Sequence, residues 1–229
     1  MRILLTNDDG IDAPGLAALE RAVAGLGGSP VVVAPLEPHS GCGHRVTTDR
    51  PLRVVELGPA RYAVAGTPVD CVRLGLARRA ADAALVVAGI NAGGNLGADV
   101  HHSGTVAAAR EAALHGRRSL AASHYHRRGA DIDWTRAARW LAAVFGRLPL
   151  EATGPGEFWN VNLPDLPATA ADPTVVECGL DTSPFTLAYR EADGGWHYDC
   201  RYHERPRVTG GDVDVCFGGS IAASRLRVG

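Results

Sequence analysis

The chain has 229 residues, a formal net charge of −2 at pH 7 and a sequence pI of about 6.5. This balance argues against a general nucleic-acid binder, and no apolar run approaches the roughly 20 residues of a membrane span. All 23 basic residues are arginine, which excludes a lysine nucleophile, a Schiff base and a P-loop lysine. We expect a single α/β domain over 1–229, with a core to about residue 165 and a C-terminal extension over 166–229.

The cysteine spacing and the absence of several known motifs further narrow the possible class of protein. The five cysteines show no CxxC pairing, and their odd number and wide spacing fit reduced thiols in a cytoplasm. The N-terminus enters a strand directly, so we expect no signal peptide and a cytoplasmic location. The motifs GxxxxGKS/T, HExxH and GxSxG do not occur, nor does GxGxxG between a strand and a helix. P-loop kinases, zincins, serine hydrolases and ordinary dinucleotide enzymes are therefore excluded.

The beginning of the chain predicts a strand–helix–strand unit. Arg2–Thr6 is an apolar strand that stops at four turn-forming residues, Asn7–Gly10. Pro14 then opens a helix with leucine and valine at helical spacing, and Pro30–Ala34 is a second buried strand. The strands of such a unit are parallel, so we expect the loop Pro35–Gly43 at the same sheet edge as Asn7–Gly10.

The middle of the chain continues this alternation. Arg53–Glu56 and Arg61–Ala65 alternate like a hairpin, and Thr67 is suited to cap a helix that starts at Pro68. The strand Ala84–Ala88 leads into a glycine-rich loop, Gly89–Asp99. Further elements are expected as a helix over about Thr105–His115, a strand over Leu120–Ser123 and an amphipathic helix over Asp133–Phe145.

The composition changes after Leu150. Trp159–Leu163 alternates like a strand, and Pro164–Pro173 is a linker rich in proline and alanine. Phe185–Arg190 and Trp196–Tyr202 flank Asp193-Gly194-Gly195 and predict a β-hairpin, which we expect to dock on a second subunit. Gly211–Phe217 fits either a helix or a strand, and Ser220–Arg227 is predicted to be a closing strand.

Three polar loops follow the predicted parallel strands and should meet in one crevice. They are Asn7–Gly10, His39–Gly43 and Asn91–Asp99, and the helix start Ser103-Gly104-Thr105 follows the last of them. The loops supply two carboxylates, a hydroxyl and two amides, on Asp8, Asp9, Ser40, Asn91 and Asn95. Such an oxygen set suits magnesium, manganese or calcium, and the helix start suits phosphate. Together they predict metal-assisted phosphoester hydrolysis. Taken singly, each residue also fits an ordinary turn or helix cap.

The histidines divide by their distance from these loops. His101 and His102 precede the helix start and could bind or protonate a phosphate oxygen, or simply contact water. His39 and His44 flank the Ser40 loop with the same two alternatives. His124 and His126 follow a strand end and are expected to be structural, as are His115, His197 and His203. No histidine-and-acid arrangement points to Cys42 as a nucleophile.

Four blocks of the sequence resemble the survival protein SurE family. They are ILLTNDDGIDAPG at the start, AP…HSGCGH at 34–44, GTPVDCVRLG at 66–75 and GINAGGNLGADVHHSGTVAAAREA at 89–112, in the family's order. NVNLP at 160–164 fits a later family motif. Two positions depart from it, since Ala88 replaces a usual serine and His102 a common tyrosine. The C-terminal GGDVDVCFGGSIAASRL follows the family pattern only loosely.

The resemblance implies a divalent-metal-dependent phosphatase acting on nucleoside 5′- and 3′-monophosphates, and sometimes on short polyphosphate. It implies one Mg²⁺ or Mn²⁺ per subunit, or Ca²⁺ in crystals, held by Asp8, Asp9, Ser40 and Asn91. Phosphate would meet Asn95, Ser103, Gly104 and Thr105, with His102 beside them. The family fold is a three-layer, Rossmann-like core with a mostly parallel sheet and a C-terminal arm exchanged in homodimers or homotetramers.

Several alternatives stay open from the sequence. Water or one of the two aspartates could attack phosphorus. The substrate could be another small phosphate ester or polyphosphate. A non-catalytic nucleotide-binding protein is a further alternative, because Ala88 and His102 lie on the phosphate side of the proposed site. No nucleic-acid or membrane partner is expected.

Overall fold

Parallel strands form the centre of the structure. The computed structural model describes residues 1–127, 129–184, 187–199 and 202–228. The strands are β1 Arg2–Thr6, β2 Ser29–Pro35, β3 Val54–Gly58, β4 Arg61–Val64, β5 Ala83–Ala92, β6 Arg118–His124, β7 Glu157–Leu163, β8 Val175–Glu177, β9 Tyr189–Ala192, β10 Gly195–Tyr198 and β11 Ile221–Arg227. The α-helices are α1 Pro14–Val23, α2 Pro68–Leu74, α3 Gly104–Leu114, α4 Trp134–Phe145 and α5 Asp212–Phe217.

Within the described residues, nine strands form one sheet in the order β3-β4-β2-β1-β5-β6-β7-β11-β8. The run from β4 to β7 is parallel throughout, whereas β3 pairs antiparallel with β4 and β11 pairs antiparallel with β7. The predicted α/β fold with a mostly parallel sheet is confirmed. β8 and β11 come from the C-terminal extension and complete the sheet of the core.

Helices cover both faces of the sheet, because alternate strand residues point to opposite sides. Ile3 and Leu5 of β1 belong to the apolar cluster that includes α1 and α4. Leu4 belongs to the cluster on the other face, with residues of α2 and α3. The three layers leave the carboxyl ends of the parallel strands open at one edge, where the loops after β1, β2 and β5 emerge.

Local sequence patterns predicted the β3–β4 hairpin and the start of α2 correctly. The β3–β4 hairpin is confirmed, and α2 begins at Pro68 as predicted. Thr67 caps α2 through a reciprocal pair of hydrogen bonds. Its hydroxyl accepts from the Asp70 N–H at 3.2 Å, and its own N–H donates to the Asp70 carboxylate at 2.9 Å. Two orphan donors at the helix start are thereby satisfied.

The C-terminal hairpin is present as β9 and β10, which pair antiparallel in a separate two-stranded sheet. The prediction that its second strand reaches Tyr202 is wrong, since β10 ends at Tyr198 and Tyr202 lies in a 3₁₀ helix, Tyr202–Glu204. The physical reason is a long-range contact: the Tyr202 hydroxyl donates to the Gly94 carbonyl and the Asp99 carboxylate. Phe185, the predicted start of the first strand, lies outside the described residues.

The local sequence pattern did not predict two further elements. The segment Gly211–Phe217 is helical as α5, and β8 was not predicted at all. The prediction of a loop over Gly89–Asp99 is wrong at both ends, since β5 continues to Ala92 by pairing with β6 and a 3₁₀ helix spans Gly97–His101. No helix in the described part of the chain is both long and apolar enough to cross a membrane.

Candidate active site

One cavity of about 250 Å³ lies at the carboxyl edge of the sheet, where the three loops meet. This is the edge at which open α/β sheets bind ligands. Seven of the predicted site residues line it: Asp8, Asp9, Ser40, Asn91, Asn95, His102 and Ser103. The rest of the described lining consists of Gly41, Ala92, Gly94, Asp99 and Tyr202.

Asp8 is the most deeply buried acid of the predicted set, with 5% of its surface exposed. Its carboxylate accepts hydrogen bonds from both polar groups of Thr105, the hydroxyl and, at 3.2 Å, the backbone N–H. Burial raises the pKa of Asp8 to about 6, and the charge of Asp9 adds to that rise, whereas the Thr105 hydrogen bonds oppose it. The contact places the acid pair directly against the start of α3.

Asp9 is less buried than Asp8 and faces the same cavity. Its carboxylate accepts a hydrogen bond from the Ala92 N–H at 3.0 Å, which joins the β1 loop to the end of β5. Burial raises the pKa of Asp9 as well. Two neighbouring carboxylates that both resist ionisation form a site that a cation would stabilise.

The Ser40 loop is fixed to both neighbouring loops through its backbone. The His39 N–H donates to the Asp8 carbonyl at 2.7 Å, and the Gly43 N–H donates to the His102 carbonyl at 3.0 Å. Ser40 lies between these two attachment points, exposed at the rim of the cavity. The backbone on both sides of Ser40 is therefore fixed at the cavity rim.

Asn91 lies near the end of β5, just after an irregularity in that strand, and lines the cavity. The register between β5 and β6 shifts between Ala88 and Asn91. Gly89 is required there: its φ is +134°, and a Cβ would lie 2.2 Å from the Ala122 carbonyl oxygen. The Asn91 amide nitrogen donates to the Gly93 carbonyl at 2.8 Å, which leaves the amide oxygen as the atom suited to a cation.

Asn95 is held by three buried polar side chains. The Asn162 side chain accepts from the Asn95 N–H at 2.8 Å and donates to the Asn95 carbonyl at 3.0 Å. Asn160 donates to the same carbonyl at 2.8 Å, and Ser123 accepts from the Asn95 amide at 2.7 Å. Asn160 and Asn162 of the NVNLP segment thus hold the glycine-rich loop against β7. The sequence motif did not reveal this role.

The start of α3 lies against the acid pair. Ser103 caps the helix by accepting from the Val106 N–H at 3.1 Å, and it also lines the cavity. A Cβ on Gly104 would lie 2.9 Å from an Asp8 carboxylate oxygen and 2.9 Å from the Cys42 sulfur, so glycine permits this close approach. Thr105 does not line the cavity, and both its polar hydrogens are directed to Asp8. Its contact in the structure is with the acid, and phosphate binding by Thr105 stays a prediction.

The remaining candidates differ in their surroundings. His102 is exposed on the cavity rim, and its Nδ1 lies 3.1 Å from the Asp99 carbonyl. His44 is not among the described lining residues and hydrogen-bonds with Glu111 at 2.7 Å. His124 is buried and stacks on Trp140. Burial raises the pKa of the Cys42 thiol, which disfavours the nucleophilic thiolate.

Among the described cavity-lining residues outside the predicted set, Asp99 and Tyr202 are the two with polar side chains. Asp99 was assigned only to the end of the glycine-rich loop, and Tyr202 to a strand of the hairpin. Tyr202 meets the loop across more than a hundred residues of chain, donating to Asp99 at 2.7 Å. No local pattern predicts such a contact, although an acid in a glycine-rich loop was a visible signal for Asp99.

No group of three or more His, Cys, Asp or Glu residues able to hold a metal occurs among the described residues. A cation at this edge would therefore need neutral oxygen ligands besides the two aspartates. The fold and the cavity together define an α/β protein with an acidic, oxygen-rich site at the carboxyl edge of its sheet.

Comparison with known proteins assigns the family. A family model described as "Survival protein SurE" matches residues 3–181, so the chain belongs to the SurE family. The chain is 48% identical over 228 residues, the whole of both chains, to a Nostoc sp. protein provisionally named 5′-nucleotidase alr3139. It is 47% identical over 169 residues to 5′-nucleotidase SurE of Rhizorhabdus wittichii, covering 72% of this chain and 66% of that protein.

A solved structure has the same fold. The crystal structure of the SurE protein from Aquifex aeolicus superposes with a TM-score of 0.82 and is 30% identical in sequence. The match covers 99% of this chain and 93% of that one, so it includes the C-terminal extension. The resemblance found in the sequence motifs is confirmed, and the names of the relatives support a nucleotidase.

Proposed function

We propose that the chain is a divalent-metal-dependent phosphomonoesterase that converts nucleoside 5′- and 3′-monophosphates to nucleoside and phosphate. The names of its relatives support the coarser activity, a 5′-nucleotidase. Metal dependence is inferred from the site and from the family resemblance, and the 3′ activity from the family resemblance alone.

One observation carries this proposal: the cavity is acidic, yet it adjoins a helix start. Asp8 and Asp9 line it without an arginine partner, and no arginine is among its described lining residues. A phosphate ester carries about two negative charges and would be repelled by a bare acid pair. A bound cation would remove that repulsion, and the backbone at the start of α3 would favour the anion.

The residues present fit a hard divalent cation. Asp8 and Asp9 supply carboxylates that resist ionisation without one, and Ser40 and Asn91 supply neutral oxygens on the same cavity. Such a set matches Mg²⁺ or Mn²⁺ better than zinc. When bound, the ion would polarise a phosphate oxygen and make water a better nucleophile.

The chain itself would position the ester. Thr105 orients the Asp8 carboxylate through two hydrogen bonds, so that its oxygens keep one geometry. Asn95 and Ser103, both buried on the cavity wall, would donate to the phosphate oxygens as negative charge develops there. Asn160 and Asn162 fix the backbone of Asn95, which keeps that donor in place.

We also propose that the chain forms homodimers or homotetramers through the hairpin. The described residues of β9 and β10 pair with each other, apart from the main sheet. Leu187, Tyr189, Trp196 and Tyr198 on or beside the hairpin are exposed, with Leu187 at 80% and Trp196 at 68%. Such an apolar surface is typical of an interface. A cytoplasmic location stays a prediction.

The test is phosphate release from a panel of nucleotides, polyphosphate and simple phosphate esters with Mn²⁺ present. Asp8→Asn and Asp9→Asn should each lower kcat at least about 1,000-fold, while circular dichroism and the melting temperature show an intact fold. Asp82→Asn is the matched control, because Asp82 is exposed and pairs with Arg2 outside the cavity. Full activity of both cavity variants would refute the role of the acid pair.

A further inference from the structure

Asp99 lies on the cavity wall in an arrangement unlike that of the other two acids. One of its carboxylate oxygens, Oδ2, accepts three hydrogen bonds: from the Leu96 N–H at 3.2 Å, the Tyr202 hydroxyl at 2.7 Å and the Arg205 guanidinium at 2.9 Å. Three donors on one oxygen fix the plane and direction of the carboxylate. Its position is therefore set before any ligand arrives.

The second oxygen of Asp99, Oδ1, has no hydrogen-bond partner among the described residues. The side chain is 12% exposed, and the residue lines the same cavity as Asp8 and Asp9. An ionised carboxylate only accepts hydrogen bonds, so the open position calls for a donor from the ligand.

The charge of Asp99 is balanced within the protein. The Arg205 side chain is 7% exposed, donates from its other terminal nitrogen to the Leu96 carbonyl at 3.1 Å, and lies over the Tyr202 ring at 4.5 Å. These contacts hold the guanidinium beside the carboxylate. Asp99 can therefore accept a hydrogen bond without adding net negative charge to a cavity that admits a phosphate. Among the described residues, no arginine pairs with Asp8 or Asp9.

We propose that Oδ1 of Asp99 accepts a hydrogen bond from a ribose hydroxyl of the substrate and thereby selects nucleotides over other phosphate esters. This inference rests on the proposed nucleotidase function. In a nucleoside monophosphate the sugar follows the phosphate directly and carries hydroxyl donors. Asp99 lines the same cavity of about 250 Å³ as Asp8 and Asp9, so Oδ1 is available to the group attached to a phosphate bound there.

The wild-type protein provides the first arm of the test. The kcat/KM of adenosine 5′-monophosphate is compared with that of its 2′,3′-dideoxy analogue, with Mn²⁺ present. A hydrogen bond to a charged group is worth about 1.5–3 kcal/mol, so we expect the dideoxy compound to be about 10- to 100-fold poorer. Both compounds keep the phosphate and the base, so the ratio isolates the sugar hydroxyls.

Variants provide the second arm. Asp99→Ala should bring the ratio of the two substrates to within about 3-fold of unity, by lowering the value for the hydroxylated substrate. Tyr202→Phe keeps the ring and the Arg205 pair but removes one donor that fixes Asp99, and should reduce the ratio several-fold even if Asp99→Ala folds poorly. Asp181→Ala is the matched control, because Asp181 is a buried acid that accepts from Ser183 and Val208 outside this cavity. A purely structural variant lowers both values together and keeps the ratio.

The outcomes separate the two proposals. Equal kcat/KM for both substrates in the wild-type protein, or an unchanged ratio in Asp99→Ala, overturns the ribose contact while leaving the nucleotidase intact. Failure of the wild-type protein to hydrolyse either compound overturns the proposed function and this inference with it. A ratio that collapses only in the Asp99 and Tyr202 variants supports the assignment.

Discussion

Thr105 and Asp8 form the contact that joins the two halves of the candidate site. The threonine gives both its hydroxyl and its backbone N–H to one carboxylate. Asp8 is only 5% exposed, so water cannot easily replace a hydrogen bond that its carboxylate loses. Leaving that buried oxygen without a donor costs free energy. We therefore expect Thr105 to act on the reaction through Asp8.

Replacing Thr105 by valine tests this role. Thr105→Val keeps the branched shape but removes the hydroxyl donor, so we expect kcat to fall about 10- to 100-fold with a small change in melting temperature. Thr105→Ser restores the donor and should recover most of the activity. Steady-state kinetics on a nucleoside monophosphate measure both. A valine variant with wild-type kcat would show that the hydroxyl is dispensable.

The individual site residues were predictable to different degrees. Asp8 and Asp9 follow a buried strand directly, so the rule for α/β sheets located them without a structure. Thr105 was predicted to bind phosphate because a helix start suits anions, yet its donors contact Asp8. Tyr202 was unpredictable, because its place on the cavity wall depends on a tertiary contact with the distant Gly94.

Helix α3 is connected to α2 and to the Ser40 loop through one buried acid. Glu111, whose side chain is 1% exposed, bonds with Arg73 of α2 at 2.5 Å, with His44 at 2.7 Å and with His115 at 3.0 Å. Burial would raise the pKa of Glu111, but its hydrogen bonds to His44 and Arg73 and the Arg73 charge lower it to about 2. The native state thus favours the ionised form.

This pKa predicts a pH dependence of stability. An acid with a lowered native pKa stabilises the fold above its unfolded pKa and loses that contribution as the pH falls. Glu111 should contribute about 3 kcal/mol at neutral pH, with the loss running from about pH 4.5 down to about pH 2. Urea unfolding of the wild type and Glu111→Gln should show this gap at pH 7 and less than half of it at about pH 3.

The comparison of the two proteins isolates Glu111 from the other titrating groups. Glu56→Gln is the matched control, because Glu56 is exposed on β3 and its replacement should change stability by less than about 0.5 kcal/mol. A Glu111→Gln gap that stays constant between pH 7 and pH 3 would contradict the lowered pKa.

Helices and strands with capping residues or a clear hydrophobic period were predictable from the sequence. Elements that depend on contacts with distant parts of the chain were not. Helix α2 carries its own cap in Thr67 and its own first residue in Pro68, so its start was readable. Strand β8 spans only Val175–Glu177 and exists because β11 pairs with it. Helix α5 depends on Asp212, which is fully buried and accepts from the distant Gly97 and Asp181. Short elements of this kind have too few residues to show a period.

At the scale of the whole molecule, the hairpin is the feature that calls for a partner. Its Tyr189 and Tyr198 contact each other edge to face, 5.5 Å between ring centroids, while Trp196 is 68% exposed. A charge placed in an apolar interface is strongly unfavourable. Trp196→Glu should therefore shift the protein from an oligomer to a monomer.

Light scattering coupled to size exclusion measures that shift. Leu114→Glu is the matched control, since Leu114 is 57% exposed on α3, away from the hairpin, and its replacement should leave the oligomer unchanged. If the wild-type protein is itself monomeric, or Trp196→Glu has the wild-type mass, the hairpin is not the interface.

The most direct test of the whole account is phosphate release from adenosine 5′-monophosphate before and after metal removal. The acid pair Asp8 and Asp9 faces a cavity without an arginine among its described lining residues, so turnover should require a divalent cation. We predict hydrolysis with Mn²⁺ or Mg²⁺, a loss of at least about 100-fold in EDTA, and recovery when the metal is restored. Undiminished hydrolysis in EDTA would contradict the account, as would failure to hydrolyse any nucleoside monophosphate with metal present.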